Sequence, residues 1–173
     1  MSEVYLARTN QKLNFARLHL EALQAAQNSN SWSKHALIES YQESVLFHLM
    51  SAYSALLREI AERYQVDVES IKELSDLERG FDQSGYESPE LNQLLQLEAD
   101  ADNWLHQLQK AYHACWKAVD KENSASVASQ SEIQVMQVNP NHASDKDVFA
   151  EYQTWLGNMR QLVEKLREGM QEW

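Results

Sequence analysis

Apolar residues recur with helical spacing in five segments of the chain, and short polar stretches separate most of these segments. In the first segment Leu6, Leu13 and Leu20 recur every seven residues, and Ala16 and Leu23 fill the neighbouring stripe. An apolar stripe of this period is typical of an amphipathic helix. We therefore predict a helix over residues 2–27 that ends at the small polar residues 28–31.

The second segment predicts the longest helix, over residues 32–64. Two parallel apolar stripes run along it, so its apolar arc is wide, and a wide arc suits a helix that packs against several neighbours. At about 1.5 Å per residue such a helix is about 50 Å long. We expect it to lie at the centre of the fold, with its main stripe formed by Ile38, Tyr41, Val45, Leu49, Ala52, Leu56 and Ile60.

Three further helices are predicted from their end signals as well as from periodicity. Asp67 is a favourable N-cap and Gly80 a favourable stop, which predicts a short helix over 67–79. Ser88 followed by a proline and a glutamate begins a helix over 88–119. A serine and an aspartate with capping-box spacing begin the last helix, over 145–172. Residues 120–144 carry no helical stripe and are predicted to be a long linker.

These segments place the chain in the all-α class as one domain, residues 1–173. Only four glycines and two prolines are present among 173 residues, which is a composition typical of long helices. Long helices joined mostly by short turns favour antiparallel neighbours. We predict a mainly antiparallel up-and-down bundle of four long helices plus one short connecting helix.

The charge of the chain excludes some classes of partner. The formal net charge is −11, and no cluster of basic residues offsets it, so direct binding to nucleic acid is not expected. A single cysteine, Cys115, cannot form an internal disulfide. The first residues resemble no signal peptide, and no apolar run has the length of about 18 residues that a membrane span requires. We therefore expect a cytoplasmic protein that does not bind membranes.

One stretch, ADADNWLHQLQKAYHACW, carries the residue types of a metal site. On a continuous helix Asp102, His106 and His113 share an outer polar face, whereas Cys115 points towards the core. Zinc requires three or four ligands that converge on one ion, and residues spread along one straight helix do not converge. We predict a solvated face and no metal or cofactor site, unless a second helix supplies ligands to Asp102, His106 and His113.

Motifs for other chemistries are missing from the sequence, and we predict no catalytic residue. No histidine follows a glutamate by three residues, as di-iron bundles require, and no glycine-rich phosphate loop is present. The HEPN ribonucleases resemble this chain in length and topology, but their arginine followed by a histidine after four to six residues is absent. A HEPN-like fold remains as a fold analogy only.

A few polar and aromatic residues stand apart from the regular pattern. His48 lies on the flank of the long second helix, and Glu59 falls on the same flank three turns later, so both are predicted as polar residues at the edge of the core. Trp32 and Trp173 lie at ends of helices, where periodicity does not bury them. Because exposed tryptophans are frequent at protein interfaces, we interpret these two as possible interaction residues.

The stretches YLARTNQKLNFARLHLEAL and ESYQESVLFHLMSAYSALLREIAERY resemble an uncharacterised family of small helical proteins from gammaproteobacteria, a domain of unknown function. The resemblance implies a bacterial protein and no known activity. The leading hypothesis is a non-enzymatic interaction or scaffolding protein that binds a protein partner or forms a homodimer. The alternatives are a HEPN-like nuclease-associated domain or degenerate toxin or antitoxin component, and a metal-dependent bundle enzyme.

Overall fold

The computed structural model describes residues 3–117 and 145–171, and within these ranges it is all-helical, which confirms the predicted class. The predicted linker over 120–144 lies outside the described residues. A single 3-10 turn, Val68–Ser70, follows the second helix. The helices are α1 Val4–Gln27, α2 Lys34–Arg63, α3 Leu74–Ser84, α4 Pro89–Ala99, α5 Trp104–Ala114 and α6 Asp145–Gln171.

The long helices pack side by side with alternating directions. Thr9 near the start of α1 contacts Glu59 near the end of α2, so these two helices are antiparallel. Tyr53 of α2 and Gln109 of α5 reach the same carboxylate, that of Glu98. Helix α6 runs parallel to α2, since its final turns meet the end of α2 through an ion pair between Arg167 and Glu59.

Helix α2 lies at the centre of the bundle, as its wide apolar arc predicts. It contacts α1, α3, α5 and α6. Most of its apolar side chains are buried and form one continuous core with those of the surrounding helices, whereas Phe47 is exposed. Side chains without measurable exposure in this helix are Val45, Leu49, Ala52, Leu56, Leu57, Ile60 and Ala61.

The prediction of one short helix over 67–79 is wrong at both ends. Asp67 does act as a cap, accepting a hydrogen bond from the backbone N–H of Glu69, but the helix that it caps is only the single 3-10 turn. Helix α3 begins later, at a capping box formed by Glu73 and Asp76. It ends at Gly85, whose φ of 70° lies in the left-handed region.

The prediction of one continuous helix over 88–119 is also wrong, because the chain breaks between α4 and α5. Ser88 caps the start of α4 by accepting from the N–H of Leu91, as the sequence predicts. The helix ends at Ala99, and Asn103 caps a new helix by accepting from the N–H of Leu105 at 3.1 Å. The three described long helices, α1, α2 and α6, are therefore completed by the shorter pair α4 and α5.

Candidate functional site

A polar cleft of about 660 Å³ lies between α2, the chain before α3, and α5. Its volume falls within the range of small-molecule sites. Serine, lysine, glutamate and histidine side chains line it, and apolar side chains of α2, α3 and α5 form its floor. The lining residues are Met50, Ser51, Tyr53, Ser54, Leu57, Lys72, Glu73, Leu74, Ser75, Glu98, His106, Gln109, Lys110, Tyr112 and His113.

The carboxylate of Glu98, at the end of α4, organises one side of the polar cleft. Its Oε1 accepts hydrogen bonds from the hydroxyl of Tyr53 and from Nε2 of Gln109, both at 2.7 Å. Burial, followed by the charge and hydrogen bond of Glu98, raises the pKa of Tyr53 well above its usual value. The phenol therefore stays protonated, and the pair forms a fixed hydrogen bond between α2 and α4.

Helix α4 also fixes the ring of His106. The Nδ1 atom of His106 lies 2.9 Å from the backbone carbonyl oxygen of Glu98. A carbonyl oxygen only accepts hydrogen bonds, so Nδ1 carries the proton, and Nε2 is the nitrogen left for other contacts. A second helix thus meets this histidine, but it contributes a carbonyl that orients the ring and not an additional ligand.

The three weak metal candidates are not brought together. His106 and His113 both line the polar cleft, but Asp102 does not, because the helix begins only at Trp104. Asp102 is exposed in the turn before α5, where its N–H donates to Oδ1 of Asp100. The shared face predicted for Asp102, His106 and His113 is therefore wrong. Within residues 3–117 and 145–171 no group of three or more potential metal ligands is present.

A second depression, the aromatic groove, lies between α2 and the end of α5 and has a volume of about 480 Å³. Trp116 and Phe47 are 74% and 48% exposed, which is unusual for side chains of their size. The ring of Trp116 packs edge-on against that of Tyr112. The groove is lined by Ser40, Glu43, Ser44, Phe47, His48, Tyr112, Cys115 and Trp116.

Cys115 is half-buried at the end of α5, not fully inside the core as the continuous helix implied. Its thiol lies 3.5 Å from the carbonyl oxygen of Ala111. Burial raises the pKa of this thiol, and the carboxylate of Glu43 raises it further. Cys115 is consequently a protonated, weakly nucleophilic thiol.

His48 forms part of the aromatic groove and also contacts α1. Its ring lies 4.7 Å from that of His19 and 5.4 Å from that of Phe15, measured between centroids. The Nδ1 atoms of both histidines are buried and have no hydrogen-bond partner among the described residues. Burial first, then the charges of His19 and Lys12, lower the pKa of His48 to about 4. His48 is therefore neutral at pH 7.

Glu59 does not contact His48, although both occupy α2. It is 8% exposed and pairs with Arg167 of α6 through two hydrogen bonds, of 2.6 Å and 2.9 Å. The hydroxyl of Thr9, on α1, lies 3.0 Å from its second oxygen. This arrangement ties three helices together and leaves no free carboxylate oxygen, so its role is structural. Sequence periodicity revealed neither Arg167 nor Thr9 as its partner.

The structure describes only one of the two tryptophans predicted as interaction residues. Trp32 precedes α2 and is 96% exposed. Trp173 lies outside the described residues. The sequence reasoning missed Glu98, which organises the polar cleft together with Tyr53. Tyr53 lies in the second apolar stripe of α2, so periodicity predicts its burial but not the hydrogen bond of its hydroxyl to Glu98.

Comparison with known proteins gives a family but no activity. The whole chain, residues 1–173, matches the model described as "Family of unknown function (DUF6586)". No curated protein and no solved structure matches the chain. No helix among the described residues has both the length and the apolar character needed to cross a membrane. The bacterial source and the HEPN analogy remain predictions.

Proposed function

We propose that this chain, which belongs to the family of unknown function DUF6586, is a non-enzymatic protein-interaction module whose aromatic groove binds a partner helix. The observation that carries the proposal is the exposure of Phe47 and Trp116 on either side of one groove. Large aromatic side chains dominate the energy of protein interfaces, because they bury much area with little loss of side-chain freedom.

The partner is expected to be a basic amphipathic helix. A helix presents apolar anchors every three to four residues, a spacing that suits a groove between two helices. The groove bears the acidic Glu43 on its rim, its histidine is neutral, and the chain as a whole carries a formal charge of −11. Lysine or arginine residues that flank the apolar face would complement this charge and accelerate association.

Charge also favours a heterologous partner over a homodimer. Two copies would bring two surfaces of strong negative charge together, which costs electrostatic free energy at ordinary ionic strength. A metal-dependent enzyme receives no support from the described residues, since no set of three ligands converges there.

The proposal is tested with two synthetic helical peptides that differ only in charge. Both carry leucines on one face, and the flanks hold lysine in one peptide and glutamate in the other. Binding is measured by fluorescence anisotropy of labelled peptide against wild-type protein, the double variant F47A/W116A and the control Y86A. Tyr86 is 50% exposed and lies outside the groove, so Y86A removes exposed aromatic area and a ring contact with Tyr64 but leaves the groove unchanged.

We expect the lysine peptide to bind wild type and Y86A equally, and F47A/W116A at least tenfold more weakly. The double variant keeps every charge of the protein. Non-specific electrostatic binding of the lysine peptide would therefore be as strong in the double variant as in wild type. Equal binding to wild type and F47A/W116A contradicts the proposal, as does preference for the glutamate peptide. Sedimentation equilibrium provides a second test. If wild type is a dimer and F47A/W116A is a monomer, the groove binds a second copy of the chain, and the proposal of a heterologous partner is wrong.

A further inference from the structure

We propose that the polar cleft is a binding site for a small amphiphilic anion, a molecule with a carboxylate or phosphate at one end and an apolar remainder. The charged end would lie against the basic face of α5 and the apolar end against the floor of the cleft. This site is separate from the aromatic groove, and the inference does not depend on the proposed protein partner.

The acidic groups of the polar cleft are already occupied within the protein. Glu98 accepts two hydrogen bonds at one oxygen, from Tyr53 and Gln109. Glu73 accepts a hydrogen bond from the hydroxyl of Ser75 at 2.7 Å and also caps the start of α3. Both carboxylates are therefore held in place by donors from the protein.

The basic groups, in contrast, remain available to a ligand. His106, Lys110 and His113 are spaced four and three residues apart, so they follow one face of α5, and all three line the cleft. Within the ranges 3–117 and 145–171 the ammonium of Lys110 has neither a hydrogen bond nor an ion pair. Lys72 faces the same cleft from the segment before α3. The formal charges of Lys72 and Lys110 offset those of Glu73 and Glu98, and the ammonium of Lys110 is the group that an anion would contact.

The orientation of His106 supports the same assignment. Its Nδ1 donates to the carbonyl oxygen of Glu98, which fixes the ring one turn before Lys110 and limits the loss of side-chain entropy when a ligand binds beside it.

The floor of the cleft defines the other end of the ligand. Leu57 and Leu74 are buried, while Met50 and Tyr112 are half-buried, and all four line the cavity. Ligand sites of comparable volume commonly combine an apolar floor with a few convergent polar groups. A molecule the size of an aryl acid would cover this floor while its anionic group reaches Lys110.

The experiment compares three probes of similar size by nuclear magnetic resonance titration and calorimetry: phenyl phosphate, phenylacetate and the neutral benzyl alcohol. Wild type is compared with K110A/H113A, with K110R and with the control K165A. Lys110 and His113 are exposed, so their replacement leaves the core intact, and circular dichroism checks this. Lys165 is exposed on α6 and lines none of the cavities described above.

We expect an anionic probe to bind wild type at least tenfold more tightly than benzyl alcohol, with shifts in the amide signals of residues 106–113. K110A/H113A should weaken binding at least tenfold, whereas K110R and K165A stay within twofold of wild type. Tighter binding by phenyl phosphate or by phenylacetate identifies the anionic group. Equal affinity for benzyl alcohol, equal losses in K110A/H113A and K165A, or the absence of binding by both anions would overturn the proposal.

Discussion

At the scale of single residues, the ion pair between Glu59 and Arg167 is the most consequential polar contact of the core. Replacing Arg167 by methionine leaves the buried carboxylate without its cation, and removal of one partner from such a pair costs about 3–5 kcal/mol. The double variant E59M/R167M should recover much of this loss, because two apolar residues replace both charges. Urea unfolding of wild type, the single variants and the double variant measures these differences in the free energy of unfolding.

Arg17 provides the matched control for this experiment. It forms an ion pair with Glu21 on the exposed side of α1. Solvent screens such a pair, so R17M should change the free energy of unfolding by less than about 1 kcal/mol. An effect of R167M as small as that of R17M would show that the ion pair with Glu59 contributes little to stability.

His48 should make the protein sensitive to acid. Its pKa is lowered to about 4 in the folded protein, against about 6.5 for an unfolded histidine. Between these values the unfolded chain binds more protons, so stability is retained above pH 6.5 and falls as the pH drops towards 4. Because the side chain is partly exposed, we expect the loss to be about 1–2 kcal/mol after screening.

The variant H48Q should lose less stability than wild type between pH 6.5 and 4, as measured by urea unfolding at several pH values. H113Q serves as the control, since it removes an exposed histidine of α5 that lies outside the contact between His48 and His19. Identical pH profiles for wild type and H48Q would show that another group controls acid unfolding. Such a result would also argue against the close packing of His19 on His48.

At the scale of residues, the sequence predicted which polar side chains lie at the edge of the core but not which residues they pair with. The helical wheel placed Glu59 at the edge of the core, yet its cation, Arg167, lies 108 residues away. Periodicity describes one helix at a time, and the pairing of side chains between helices depends on register, which it does not contain. The polar cleft was missed for the same reason, since Glu98 and His106 meet only because α4 and α5 are separate helices.

At the scale of elements, periodicity predicted the long helices well and their interruptions poorly. The stripes of α1 and α2 gave helices whose ends lie within two residues of those observed. The break after Ala99 was missed because apolar residues resume in phase with the helix on both sides. Its signal was present in Asp100, Asp102 and Asn103, since side chains of this kind bind nearby backbone N–H groups and favour caps over helix interiors.

Two glycines distinguish backbone geometry from helix propensity. Gly85 ends α3 with a φ of 70°, so G85A should destabilise the protein by about 1 kcal/mol, although nothing lies within 4 Å of an added Cβ atom. Gly157 lies inside α6 with equally open surroundings, so G157A should stabilise by about 0.5–1 kcal/mol. Thermal unfolding of the two variants measures both effects. A gain in stability for G85A would contradict the left-handed cap.

At the scale of the whole molecule, one short helix serves both proposed surfaces. Tyr112 of α5 lines the polar cleft and the aromatic groove. The basic face of α5, with Lys110 and His113, belongs to the cleft, whereas Cys115 and Trp116 at its end belong to the groove. Ligand binding in the cleft would therefore act on the same helix that the proposed partner would contact. The variants F47A/W116A and K110A/H113A separate the two surfaces, because the first changes only the groove and the second only the cleft.

The excess of acidic residues should make stability depend on salt. With 26 acidic and 15 basic side chains the folded protein repels itself, and ions screen this repulsion over a Debye length that shrinks from about 30 Å at 0.01 M to about 3 Å at 1 M. We expect the melting temperature to rise by about 2–4 °C between these extremes, which corresponds to about 1 kcal/mol for a domain of this size.

A charge-reduced variant separates screening from general salting-out. The exposed acids Glu151, Glu164 and Glu168 all lie on α6, and E151Q/E164Q/E168Q removes their charges without touching the core. If self-repulsion limits stability, this variant should melt above wild type at 0.01 M sodium chloride and should gain less on addition of salt. Equal gains in both proteins would assign the effect to salting-out, and a melting temperature that falls with salt would show that favourable ion pairs outweigh the net repulsion.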